Sequence, residues 1–143
     1  MFKAREAFVK YKSISSPLDI IENPNDVYRF FKKMAEWETR ENFYCLYLDN
    51  KNRVICFERI AVGTSNGVPI DPKEIIRTGL LVGAEKLILV HNHPSGDSTP
   101  SPEDGSVTIK LNQVCQMFTL EVLDHVVIGN GQFTSLKERG ILS

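Results

Sequence analysis

Four residues in one short stretch have the types and spacing to do chemistry. His91 and His93 stand two apart, directly after the apolar run KLILV at 86–90, and Asp104 follows eleven residues after His93. Side chains along a strand return to the same face every two residues, so His-x-His at a strand end presents both imidazoles on one side. Neutral imidazole suits zinc, and a carboxylate completes a three-ligand site with one position open. A water in that position is what makes such a site catalytic. Ser101 lies three residues before Asp104 and reads as a helix N-cap. Asp104 would then sit in the first turn, where its charge is favoured by ~0.3–1 kcal/mol. A surface capping pair explains Asp104 taken alone, but not the four residues together. The remaining histidine, His125, lies inside an apolar strand and reads as a satisfied core or edge histidine.

The elements that must position these residues are legible from periodicity and turn chemistry. Asn23-Pro24 is an N-cap followed by a first helical position, and Val27, Phe30, Phe31 and Met34 continue at helical spacing over roughly 24–38. Residues 42–49 (NFYCLYLD) read as a buried strand, 49–52 as a turn and 53–62 as its antiparallel partner. Asp71 with Glu74 three residues on predicts a boxed helix start, Ile75, Ile76, Gly79 and Leu80 its inner face, and Gly83 its stop. KLILV is a short buried strand followed by the loop HNHPSGDSTP. Ser101 then opens a helix carrying Val107, Leu111, Val114, Cys115 and Phe118. Residues 120–129 form another strand, and Asn130-Gly131 turns into a short strand near Phe133. Helices alternate with strands and hairpins are present, so the fold class is α/β (α+β), a mixed sheet flanked by helices.

Composition excludes several functions. The 143 residues are 42% hydrophobic and 24% charged, which suits one globular domain. Seventeen Lys and Arg against eighteen Asp and Glu give a net charge of -1, without the basic excess that non-specific nucleic-acid binding requires. Lys3, Arg5, Lys10 and Lys12 form the richest basic patch and read as a solvated arm. No apolar run reaches the ~20 residues of a membrane helix, and no signal peptide is visible, so a cytoplasmic location is expected. Cys45, Cys56 and Cys115 match neither a zinc spacing nor a disulfide framework and read as small buried apolar residues.

The arrangement His91-x-His93, seven residues, Ser101, two residues, Asp104 resembles the JAMM metal motif of the JAB1/MPN superfamily of zinc hydrolases. HNHPSGDSTPSPED, with LDHVVIG at 123–129, ENFYCLYLDNKNRVI at 41–55, GTSNGVPIDPKEIIRTGL at 63–80 and the closing SLKERGILS, is similar to the RadC family, whose traditional label is DNA repair. The resemblance runs from about Ile20 to Leu142, leaving residues 1–19 as an N-terminal arm and 20–143 as the RadC-like domain. It implies a curved mixed sheet with packed helices, the JAB/MPN (cytidine-deaminase-like) fold. It implies that His91, His93 and Asp104 hold one Zn2+ per chain and that Ser101 stabilises an oxyanion. It also implies a catalytic glutamate near the start of the strand before the hairpin turn. Glu41, in TREN at 39–42, matches that place, with Glu38 as rival and Glu58 more distant.

Two departures from the family pattern stand out. The N-terminal helix-hairpin-helix region of larger RadC proteins is not expected here, which puts direct nucleic-acid binding in doubt. Gly105 follows Asp104 where an apolar residue, often Ile, is usual. Glycine inside a helix costs up to ~1 kcal/mol against alanine and is expected to loosen this turn.

The implied activity is that of a zinc-dependent metallopeptidase acting on a peptide or isopeptide-type amide, with Glu41 as general base. The alternative is a non-catalytic zinc-containing module in DNA repair or mobile-element biology. A nucleobase deaminase needs His-x-Glu and a Cys-x-x-Cys pair, both missing from this sequence. The His-Glu-x-x-His helix of other zinc proteases and the phosphate-loop and dinucleotide motifs are missing too. Gly63–Ile70 and Pro94–Pro100 are expected to border the cleft. No membrane partner is expected, and an exposed sheet edge leaves a homodimer open.

Overall fold

Asn23 opens the first helix, its side-chain carbonyl accepting from the Asp26 N–H at 3.0 Å. The computed structural model, which describes residues 1, 3–16, 18–36, 38–63 and 70–142, runs this helix, α1, over Pro24–Glu36, two residues short of the expected 38. Two antiparallel strands follow, β1 (Asn42–Leu48) and β2 (Val54–Val62). Then come α2 (Pro72–Leu81), β3 (Lys86–Asn92), α3 (Pro102–Gln116), β4 (Glu121–Ile128) and β5 (Phe133–Ser135). The strands form one mixed sheet in the order β2-β1-β3-β4-β5. Among the described residues only β3 and β4 are parallel, and parallel neighbours need a crossover, which α3 supplies.

β1 is buried along its whole length because both faces of the sheet are covered. Phe43, Cys45 and Tyr47 pack with Leu87, Leu89 and the inner faces of α2 and α3, including Ile75, Leu111 and Cys115. Tyr44, Leu46 and Leu48 point the other way and pack with Ile88, Val90 and Val126 against Val27, Phe30 and Phe31 of α1. Strict alternation thus produces a helix–sheet–helix sandwich. The cysteines serve this packing. Burial pushes the Cys45 thiol up and raises Cys56 and Cys115 to about 11, so all three stay protonated near neutral pH.

Three local outcomes differ from the sequence reading. β3 runs two residues past KLILV, because Phe43 of β1 pairs with His91 and Ile128 of β4 pairs with Asn92. His91 therefore lies in the strand rather than in the loop. Asp71 does cap α2, but through the Lys73 N–H at 3.0 Å; Glu74 reaches Arg77 at 3.2 Å instead of closing a reciprocal box. Gly105 does not undo the first turn of α3, which carries a complete capping box. A Cβ on Gly105 would meet Ile141 Cγ2 at 3.2 Å, so the absent side chain lets the C-terminal segment close over the helix start. Gly83 ends α2 with φ +70; its N–H and that of Ala84 bond back to Leu80 and Gly79 at 3.3 and 2.9 Å, a Schellman pattern. Among the described residues, no helix is long and apolar enough to cross a membrane.

Candidate metal centre

Two different elements converge at the C-terminal end of β3. In open α/β sheets ligands gather at the carboxyl ends of strands, and here the chain leaves β3 and returns as the N-terminus of α3. His91 is on the α3 side of the sheet, stacked on Phe43 with ring centroids 5.9 Å apart. His93 continues the same alternation because its N–H still bonds Ile128 at 2.8 Å. The two Nε2 atoms face each other at 3.0 Å. Asp104 arrives from α3, fixed by the capping box: the Ser101 N–H donates to its Oδ2 at 2.8 Å, and its own N–H donates to Ser101 Oγ at 3.1 Å.

The carboxylate lies between the histidines, with Oδ1 3.4 Å from His91 Nε2 and Oδ2 3.5 Å from His93 Nε2. Glu41 Oε1 is also 3.4 Å from His91 Nε2. The four side chains offer donor atoms that all lie within 4.8 Å of one another. Tetrahedral zinc with bonds of ~2.0–2.1 Å separates its ligand atoms by roughly 3.3 Å, close to the spacings among His91, His93 and Asp104. The group thus has the composition and dimensions to hold a metal ion.

Electrostatics fit the same use. A backbone carbonyl can only accept, so the 2.8 Å contact between His93 Nδ1 and Asp97 O puts the proton on Nδ1 and the lone pair on Nε2. Burial works against ionising Asp104, yet the adjoining His91 and His93 rings outweigh it and hold the carboxyl well below its ordinary range. The Asp104 carboxylate, which accepts from the ring once it is protonated, raises His93 against the effect of burial. His125 is fully buried, which drives its basicity far down. It is satisfied, as expected of a core histidine, but one of its partners is His91 Nδ1, at 2.6 Å.

Of the three upstream glutamates, the structure brings Glu41 to the group. Glu38 pairs with Arg59 at 3.2 Å, and Glu58 accepts from Thr78 at 2.8 Å beside a depression of about 1020 Å³ between residues 8–14 and β2. Glu41 is one-third exposed, open to a substrate while its backbone is held. Asn92, between the histidines and turned to the opposite face, accepts from the Asn42 N–H at 2.7 Å and donates to the Arg40 carbonyl at 3.0 Å. It grips the chain on both sides of Glu41. Asn92 is not among the residues whose type and spacing point to chemistry; its signal in the sequence is a polar residue at a strand position whose neighbours pair on both sides.

A cavity of about 200 Å³ adjoins the group, lined by Glu41, Phe43, Ile70, Ser101, Asp104, Val107, His125 and Glu103. Ser101 Oγ accepts from Asp104, which leaves its hydroxyl hydrogen to donate. Of the segments expected to border the cleft, Pro94–Ser95–Gly96 line a neighbouring cavity of about 300 Å³ with His93, while 64–69 lie outside the described residues.

A mixed sheet between helices, with two strand-end histidines and a helix-start aspartate meeting a strand-start glutamate, is the architecture of a JAB/MPN-type domain. The RadC-like JAB domain model matches residues 21–141, and the chain belongs to that family. It is 45% identical over 123 residues to a UPF0758 protein of Halalkalibacterium halodurans, covering 86% of this chain and 53% of that protein. A UPF0758 protein of Coprothermobacter proteolyticus is 42% identical, covering 94% and 56% respectively. One from Methanosarcina mazei is 38% identical, covering 90% and 56%. The chain thus spans about half the length of these curated relatives.

Proposed function

We propose that this domain is a zinc-dependent hydrolase of amide bonds, peptide or isopeptide in type. The observation that carries this reading is the convergence of Glu41, His91, His93 and Asp104, with donor atoms within 4.8 Å, at the mouth of a cavity. His91, His93 and Asp104 would hold the ion. When bound, zinc supplies Lewis acidity toward a carbonyl and acidifies water toward neutral pH. Glu41, anchored through Asn92 but exposed at its carboxylate, takes the proton of the attacking water and returns it to the leaving nitrogen. The Ser101 hydroxyl donates to the developing oxyanion. Asp104 remains ionised throughout, as its lowered basicity requires of a ligand.

Metal content and turnover test this separately. About one zinc per chain is expected in the protein and almost none in His93→Ala, measured by mass spectrometry. Glu41→Gln should keep its zinc and lose at least about a hundredfold in cleavage of any peptide the wild type cuts, within the range for a general base. A wild type that takes up no zinc would overturn the reading. Full activity in Glu41→Gln would overturn the assignment of the base.

A further inference from the structure

We propose that Thr108 and His125 are positioning residues that fix the tautomer of His91, leaving its Nε2 lone pair directed at the metal position. This rests on the reading of the four-residue group as a metal centre and adds what prepares one of its ligands. The relay begins at a carbonyl whose role admits no choice. Thr108 Oγ1 lies 2.7 Å from the backbone oxygen of Asp104, one turn earlier in α3. That oxygen can only accept, so the Thr108 hydroxyl hydrogen points to it. The hydroxyl is then an acceptor toward its other neighbour, His125 Nδ1, which must carry the proton. His125 Nε2 is left with a lone pair facing His91 Nδ1 at 2.6 Å. His91 therefore carries its proton on Nδ1, and its Nε2 presents a lone pair to Asp104, Glu41 and the likewise unprotonated His93 Nε2 at 3.0 Å, a convergence of acceptors that a cation would fill.

The reverse polarity would set the Thr108 hydroxyl and the Asp104 carbonyl lone pair to lone pair at 2.7 Å. It would also place a proton on His91 Nε2, where a cation must sit. The chain of contacts closes on itself, since it starts from the backbone of one proposed ligand, Asp104, and ends on the ring of another. Its middle member is held on all sides. The His125 N–H bonds Asp124 Oδ1 at 2.7 Å, its carbonyl accepts from Leu136 at 2.9 Å, and its ring stands edge-on to Phe43 with centroids 5.5 Å apart. Thr108 and His125 are both fully buried. Outer partners of this kind orient metal-binding imidazoles and set which nitrogen is free.

The test uses Thr108→Val, which removes the hydroxyl at nearly constant volume, and Thr108→Ser, which keeps it. Long-range proton–nitrogen NMR spectra of the metal-free, 15N-labelled protein report the tautomer of each ring. Wild type and Thr108→Ser should show His91 protonated on Nδ1. In Thr108→Val the His125 Nδ1 proton loses its acceptor, the relay reverses, and His91 should be protonated on Nε2. Zinc affinity, measured by chelator competition, should fall about ten- to a hundredfold in Thr108→Val and be restored in Thr108→Ser. Should Thr108→Val not fold, Thr108→Ala removes the same hydroxyl without crowding. An unchanged His91 tautomer in the folded variant would overturn the proposal, as would equal losses in the Val and Ser variants. The tautomer is read without metal, so the relay can fail while wild-type zinc binding stands, and the reverse.

Discussion

Asn92 shows how much of this site depends on a side chain that touches no reacting atom. It is buried on the far face of β3, and its amide spans the Arg40 carbonyl and the Asn42 N–H. Asn92→Asp keeps an acceptor for Asn42 but sets a carboxylate oxygen against the Arg40 carbonyl. The Arg40–Asn42 segment must then shift and carry Glu41 with it. A displacement near 1 Å can cost about a hundredfold in rate, so turnover should fall on that order while zinc content stays at wild type. Zinc lost in proportion to activity would show that the histidines had moved instead. Ser101 separates in the same manner. Ser101→Ala removes both the cap, worth ~1 kcal/mol, and the proposed oxyanion donor, worth about a hundredfold in turnover. Ser101→Gly costs the cap only a few tenths of a kcal/mol and supplies no side-chain donor, so it should keep most of the melting temperature without recovering the rate.

At the scale of elements, the legible and illegible parts of this chain divide by the range of the interactions involved. Caps and turns are local, and so Asn23, Asp71, Gly83, Ser101 and Asn130-Gly131 were readable, as was the two-residue alternation that aims His91 and His93. Pairing is not local. The extension of β3 to Asn92 depends on β1 and β4, and the approach of His125 to His91 depends on a parallel register between segments 34 residues apart. Glu41 was placed by family resemblance alone, since no spacing rule links residue 41 to residue 91. The crossing of two backbones at Gly129 was equally invisible. A Cβ there would stand 2.3 Å from Gly96 O and 2.9 Å from Ser98 N, inside the turn whose Asp97 carbonyl orients His93. Gly129→Ala should therefore push that turn away, lowering both the melting temperature and zinc affinity. Gly83→Ala is the control: φ +70 penalises it, but nothing lies within 4 Å. It should lose ~1 kcal/mol of stability with zinc affinity unchanged, and a matching zinc loss in both variants would refute the local explanation.

For the whole molecule, the buried histidine makes folding itself sensitive to acid. His125 is fully buried between the sheet and α3, and burial, reinforced by His91, lowers its basicity well below the ordinary 6.5. The unfolded chain takes up a proton there as the pH drops through about 6.5, and the folded chain does not. Unfolding thus gains a proton, and stability falls with pH at up to ~1.4 kcal/mol per unit. The contribution is fully present above 6.5 and is lost progressively as the pH falls toward the depressed folded value. His93 works in the opposite sense. Its raised value in the metal-free protein adds stability that is complete below 6.5 and disappears as the pH rises through the folded value. Asp104 enters only at the acid end, since its lowered value gives stability that drains away below the unfolded 3.8. The interval between about pH 4 and 6.5 is therefore where the slope due to His125 stands clear of these other two. Urea titrations of the chelator-treated protein across that interval should show stability declining with acid, and the His125 ring should remain neutral by NMR at pH 5. His125→Asn should flatten the decline. A wild-type stability that is level over this interval, or a His125 ring that titrates near 6.5 in the folded state, would mean that the core admits the charge and that the ring is not sealed between sheet and helix.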